Sequence, residues 1–244
     1  MRVAGLLLAL VLVTSCFVGG TFAKYVTSGT GADHAKVAKW GVKVTAHGEG
    51  DIFASTYDQV AGQENTVIAG GEYKVIAPGT KKDNAAVVTV SGTPEVAVNV
   101  TYTADSFALT GKWAYNDGRA GSTDQYYCPL IFKITGMVNG VETTETINCL
   151  EKSSVTEVKT AVETALAKFN ASYPAGTNLS TKVNGGLKIS WEWPFETGDT
   201  AEEKAANNVK DTYLGDLATA TDPASVNTIP AVYAVVTATV TQID

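Results

Sequence analysis

Cysteine, histidine and acidic side chains are the groups of this 244-residue chain that could support redox, nucleophilic or metal chemistry. Its two histidines, His34 and His47, lie far apart and belong to no H-E-x-x-H or comparable zinc-spaced cluster. No G-x-S-x-G sequence is present, so the signature of a serine hydrolase is missing. The sequence therefore predicts no catalytic residue, no enzymatic activity and no cofactor.

Three acidic residues in one polar segment, Asp199, Asp211 and Asp216, carry the oxygen atoms that Ca²⁺ prefers. They lack the ligand spacing of an EF-hand, and a solvated acidic face explains them as well. We predict no metal site there.

Two cysteines, Cys128 and Cys149, lie on alternating segments joined by Asn139-Gly140, the strongest short-range signal for a β-hairpin. A two-residue turn pairs Val138 with Val141, which places both cysteines on one face but slightly out of register. A bulge would bring them opposite each other, so a disulfide could clamp the open end of this hairpin. Two free buried thiols are the alternative.

The first residues predict export. Arg2 precedes a continuous apolar run, Val3 to Val13, which is too short to span a bilayer and fits a secretory signal peptide over residues 1–23. Thr21-Phe22-Ala23 suits a signal peptidase that cuts between Ala23 and Lys24. The stretch before Cys16 instead resembles a lipobox, in which Cys16 would be lipidated and tether the protein to the membrane. In an oxidising compartment outside the cell, the remaining even pair of cysteines favours a disulfide.

The net negative charge of the chain argues against nucleic acid and anionic lipid as partners. The chain has 18 Lys and Arg against 25 Asp and Glu, a net charge of −7, and loses the positive Arg2 with the leader. Nucleic acid requires clustered cations, so it is excluded as a partner, and charge-driven binding to anionic lipid is disfavoured in the same way. We expect a secreted protein with no membrane attachment after cleavage.

Alternating apolar and polar residues predict strands along most of residues 24–244, which we expect to form a single domain. The segment from Ala85 to Thr103 is expected to be a hairpin that turns at Gly92-Thr93-Pro94, and Val232 to Val240 a central strand. Two further sets are expected to face a core: Ala38, Trp40, Val42 and Val44 in the first strand, and Leu187, Ile189, Trp191 and Trp193 in a later one.

Two segments depart from the strand pattern. Apolar residues recur every three or four positions over about 153–171, behind a capping box made by Ser154 and Glu157, which predicts an amphipathic helix. A polar segment over about 200–208 is expected to be a short helix or an exposed excursion. The fold class predicted is mainly β, a jelly-roll-like antiparallel β-sandwich with one amphipathic helix inserted.

Several short motifs together resemble a known group of proteins. They are Gly19-Gly20-Thr21-Phe22-Ala23-Lys24-Tyr25, Ala77-Pro78-Gly79-Thr80, Trp191-Glu192-Trp193-Pro194-Phe195, Asp211-Thr212-Tyr213-Leu214-Gly215 and the tail Thr239 to Asp244. The chain resembles exported Firmicutes proteins with SipW-type signal peptides, and more distantly the camelysin/TasA family of biofilm matrix fibre subunits.

The resemblance implies a Gram-positive, secreted or cell-surface-associated subunit of an extracellular matrix fibre. Subunits of that kind are expected to associate with themselves or with related matrix subunits by strand addition, after signal peptidase has released the N-terminus. The candidate donor strand lies within Lys24 to Asp33 and begins with Lys24, Tyr25, Val26 and Thr27.

The sequence is also compatible with two other functions. A surface adhesin or carbohydrate-binding module could use Trp191 and Trp193 as a sugar platform, or the exposed loop from Asn116 to Asp124. The family resemblance also allows a camelysin-type metalloprotease, although the two isolated histidines disfavour it.

Overall fold

The computed structural model describes residues 35–47, 52–53, 74–104, 107–183, 186–219 and 229–243. The predicted leader, the cleavage site between Ala23 and Lys24, Cys16, and the candidate donor residues Lys24, Tyr25, Val26 and Thr27 lie outside these ranges. Residues Ala38–Asp244 form one compact unit, to which all the strands and helices named below belong.

The described residues form twelve strands, three α-helices and one 3₁₀ turn. In chain order the strands are β1 Val42–Ala46, β2 Lys81–Gly92, β3 Val98–Thr103, β4 Ala108–Thr110, β5 Ala114–Tyr115, β6 Gln125–Tyr126, β7 Ile131–Val138, β8 Val141–Asn148, β9 Ala171–Tyr173, β10 Leu187–Glu192, β11 Ala231–Tyr233 and β12 Thr237–Gln242. The helices are α1 Val155–Ala167, α2 Leu179–Lys182 and α3 Ala201–Ala218, and the 3₁₀ turn is Cys149–Glu151.

All strand pairs are antiparallel, and they form one large sheet and three small ones. The large sheet has the order β1-β2-β10-β7-β8, and a three-stranded sheet has the order β12-β3-β9. The pairs β11-β4 and β5-β6 complete the set. The predicted class, a mainly β, antiparallel, sandwich-like fold, is confirmed.

A single core lies between the large sheet, the three-stranded sheet and α1. Alternate residues of β7, β10 and β3 point into it, so each of these strands buries one face. Its largest fully buried side chains include Trp191, Phe132, Phe169, Leu130 and Ile134. Trp193 is also buried, so the inward face predicted for β10 and the residue after it is confirmed.

The β7-β8 hairpin follows the sequence closely. Val138 pairs with Val141, as expected for a two-residue turn at Asn139-Gly140. Both turn residues have positive φ, 54° at Asn139 and 84° at Gly140. A two-residue hairpin turn of this kind requires that conformation, which Asn and Gly tolerate.

The hairpin predicted over Ala85 to Thr103 is wrong. Its two halves are strands, β2 and β3, but β2 pairs with β1 and β10, whereas β3 pairs with β12 and β9. The chain crosses from one layer of the sandwich to the other after Gly92, where φ is 114°. Valines of both strands then face the same core from opposite sides.

Two further strand predictions need correction. The expected central strand from Val232 to Val240 is divided into β11 and β12, and each pairs with a single described strand and lies at a sheet edge. In the first strand, the predicted inward residues Trp40 and Val44 are 42% and 41% exposed. Of that set, Val42 is half-buried against the core.

Both predicted helices exist with different bounds. Helix α1 begins after Ser154, whose side chain accepts a hydrogen bond from the Glu157 amide, and it ends at Ala167 rather than 171 because β9 starts at Ala171. Helix α3 extends ten residues beyond the predicted end at 208. Its N-terminus has a complete capping box formed by Thr200 and Glu203.

Candidate functional site

The structure brings the two predicted cysteines together. The amide of Cys149 donates to the carbonyl of Leu130 at 3.0 Å, which continues the β7-β8 register past the end of both strands. Both cysteines are fully buried and present as thiols, and their side chains are hydrogen-bonded to each other. The two cysteines are therefore neighbours in the core, and the predicted disulfide between them stays a prediction.

Their environment disfavours thiol catalysis. The hydrogen bond with Cys128, followed by burial, raises the pKa of the Cys149 thiol far above its ordinary value. A reactive cysteine needs a lowered pKa and some exposure, and this one has neither.

The acidic residues singled out from the sequence do not converge. Asp199 and Asp216 are exposed, whereas Asp211 is 7% exposed and faces the sheets from α3. Within the described part of the chain, no group of three His, Cys, Asp or Glu residues could hold a metal ion.

Asp211 is instead the centre of a buried polar anchor. Its Oδ1 accepts a hydrogen bond from the Tyr127 hydroxyl at 2.8 Å and another from the Trp193 indole N–H at 3.2 Å. The Tyr127 hydroxyl also contacts the Asn207 carbonyl at 3.3 Å, and the Lys210 amine lies 5.1 Å from the centre of the Tyr127 ring. These contacts fix α3 to the sheets.

Burial raises the pKa of the Asp211 carboxyl, whereas the hydrogen bonds from Tyr127 and Trp193 and the charge of Lys210 lower it. The effect of burial is the largest, so the pKa of Asp211 lies above its ordinary value. Within the described part of the chain, its Oδ2 is buried without a hydrogen-bond partner. Sequence reasoning missed this anchor, although Asp211 stands three positions before the buried Leu214 on one face of a helix.

The proposed tryptophan platform is not available on the surface. Trp191 is 2% and Trp193 6% exposed, and the indole N–H of Trp191 donates to the carbonyl of Ile52 at 2.8 Å. A sugar-stacking ring must present its face to solvent. The loop from Asn116 to Asp124 is largely exposed, as predicted.

The edge strands of the large sheet carry backbone groups that could pair with an added strand. Strand β8 lies at one edge of the five-stranded sheet and pairs only with β7 among the described strands. The hydrogen bond from the Cys149 amide to the Leu130 carbonyl belongs to the same ladder as the β7-β8 pairs. In an antiparallel ladder every second residue bonds to the partner strand, so the backbone N–H and C=O groups of the odd-numbered β8 residues face β7. The backbone N–H and C=O groups of Glu142, Thr144 and Thr146 therefore point away from β7, toward the outer side of the sheet.

A groove lies beside the second half of β8, with a volume of about 510 Å³. It is lined by Ile147 of β8 and by Ala161, Thr156, Thr160 and Thr164 of α1. Lys168, just past the end of α1, reaches Glu145 at 2.7 Å, which joins the helix to the strand.

The opposite edge of the same sheet is β1. The amide of His47 donates to Val87 at 2.9 Å, and the amide of Glu95 donates to Lys39 at 2.9 Å, both in the β1-β2 register. Alternation then directs the backbone groups of Val42, Val44 and Ala46 outward. The described part of the chain supplies no ladder partner on that side.

The described helices include none that is both long enough and apolar enough to cross a membrane. Comparison of the chain with known proteins finds no matching family model, no matching curated protein and no matching solved structure.

Proposed function

We propose that this protein is a secreted structural subunit of an extracellular fibre of the biofilm matrix type, which assembles by β-strand addition. The observation that carries the proposal is that β1 and β8 are the two end strands of one antiparallel sheet, and that no described strand forms a ladder on the outer side of either. Unpaired backbone N–H and C=O groups at such edges are satisfied when another strand is added.

The arrangement of the edges favours a fibre over a closed dimer. A strand supplied from the β1 side of one subunit and accepted at the β8 side of the next makes a heterologous contact, in which the two surfaces differ. Contacts of that kind repeat without closing unless a rotation brings the ends together, and they therefore generate filaments.

The N-terminal part of the chain fits the role of donor. Export and cleavage after Ala23 would free a segment that starts with Lys24 and continues into the residues directly before β1. The residues Tyr25, Val26 and Thr27 are of types that favour strands.

Deletion of residues 24–33 from the mature protein tests this function. We expect loss of the fibres seen by negative-stain electron microscopy, because the acceptor edge would have no strand to add. The far-UV circular dichroism of the monomer should be retained, since the described strands and helices begin after this segment.

A matched control is Val209→Ser, which changes an apolar side chain of α3 that is 56% exposed and not part of either sheet edge. This variant should form fibres like the parent protein. Fibres of undiminished length and number after the deletion would show that residues 24–33 are not the donor.

A further inference from the structure

We infer that thiol–disulfide exchange at Cys128 and Cys149 takes place before the chain folds, and that the folded protein keeps the redox state that the pair had when the core closed. The oxidant that this order requires carries a reactive disulfide and acts on the unfolded chain. The order goes beyond the predicted link, because it states when the link forms and on which form of the protein. It holds whether or not the protein forms fibres.

Both cysteines are closed to solvent in the folded protein. Cys128 and Cys149 are each 0% exposed, and Cys128 lies in a run of four buried residues, Tyr127 to Leu130. The Tyr126 hydroxyl, which is also buried, lies beside the Cys128 thiol. The lining of the groove between β8 and α1 includes Lys152 but neither cysteine, so this groove does not give a reagent access to the pair.

Exchange proceeds through an intermediate in which the oxidant is bonded to the chain. In the first step, a cysteine thiolate attacks one sulfur of the oxidant's disulfide, which forms a mixed disulfide and releases the oxidant's other sulfur as a thiolate. In the second step, the thiolate of the remaining cysteine attacks the chain's own sulfur in the mixed disulfide. This step closes the 128–149 bond and releases the second thiolate of the oxidant. The chain loses two protons and two electrons, and the oxidant takes up the electrons as its disulfide becomes two thiols.

The folded core has no room for that intermediate. A mixed disulfide places a bulky group directly on Sγ, and a close-packed interior does not accept such an addition around an atom that water does not reach. The attacking thiolate is also scarce, because the hydrogen bond with Cys128, followed by burial, raises the pKa of the Cys149 thiol. Packing and ionisation therefore both confine exchange to chains whose core is open.

Parallel oxidation of folded and unfolded protein tests this order. The chain of residues 24–244 is reduced in urea, refolded without oxidant, and treated with glutathione disulfide in the absence and in the presence of urea. We expect the 128–149 link to form at least about 100-fold more slowly in the folded protein, because only its small unfolded fraction reacts. Mass spectrometry after alkylation of the remaining thiols measures both rates.

The matched control adds a thiol on the surface of the same molecule. Ala205→Cys lies on the exposed side of α3, where a mixed disulfide meets no packed neighbours. In the folded variant this thiol should bond to glutathione readily, while Cys128 and Cys149 of the same molecules stay thiols. The control thus shows that the reagent is active under conditions in which the native pair does not react.

The remaining outcomes also decide the matter. A slowing of less than about 100-fold would overturn the order, because the pair would then be open to exchange in the native state. Reduction of the folded disulfide form by dithiothreitol as fast without urea as with it would contradict the order in the same way. A thiol form that shows no cooperative unfolding in urea would support it, since the chain would then fold only after oxidation.

Discussion

Asp211 attaches the longest described helix to the sheets with a carboxylate rather than with an apolar side chain. Helix α3 is mostly polar, and its buried residues are Asp211 and Leu214. The ring of Tyr213 on α3 also packs against the ring of Tyr115 on β5, with 5.4 Å between the ring centres, and this contact supports the same attachment. The helix therefore depends on a few specific contacts, and its stability should respond to the ionisation of one group.

The substitution Asp211→Asn tests this dependence through pH. Burial raises the pKa of Asp211, so the folded protein keeps the proton of this carboxyl to higher pH than the unfolded chain does. In the unfolded chain Asp titrates at about pH 3.9. Above about pH 4 the folded state thus binds more protons, and this group makes the wild-type protein less stable as the pH rises. Asn does not ionise, so the free energy of unfolding of the variant relative to wild type should increase from about pH 4 to pH 7.

Urea unfolding at several pH values measures this difference, and Asp216→Asn, an exposed change on the same helix, is the control. The control should alter the free energy of unfolding by no more than about 0.5 kcal/mol at each pH. A relative stability of Asp211→Asn that falls with rising pH would contradict the dependence on Asp211 ionisation.

Sequence reasoning succeeded at positions where a local pattern determines the outcome. The Asn139-Gly140 turn fixes the register of β7-β8, and the capping residue Ser154 with the apolar stripe of α1 fixes the start of that helix. It failed for β2 and β3, because alternation indicates that a segment is a strand but not which strand it pairs with. The end of α3 was missed because a buried aspartate replaces the apolar stripe there.

At the level of the hairpin, the adjacent thiols lead to a prediction for the exported protein. We expect Cys128 and Cys149 to be joined by a disulfide after exposure to an oxidising exterior, because their side chains already contact each other. The closed loop of about twenty residues implies a stabilisation of about 3 kcal/mol against unfolding. Non-reducing mass spectrometry of protein from culture medium should show the 128–149 link, with a midpoint of urea unfolding that falls after reduction. Two free thiols in that material would exclude the link.

At the scale of the whole molecule, the two edges of the five-stranded sheet carry different residues, and no described strand forms a ladder on the outer side of either. Strand β8 exposes Glu142, which discourages pairing between two copies of β8, while β1 exposes Val44. Such asymmetry is expected of a subunit whose two ends must join each other and not themselves. The sequence suggested strand addition through resemblance, but it identified no acceptor, since an edge is defined by the three-dimensional order of strands.

Electron cryo-microscopy of assembled mature protein tests the central claim most directly, because it resolves the strand order at the junction between subunits. We predict a filament in which a sixth strand, built from residues 24–33 of the neighbouring subunit, lies beside β8 and continues the large sheet. A filament in which the outer edge of β8 faces solvent, or mature protein that stays monomeric under all assembly conditions, would contradict assembly by strand addition at β8.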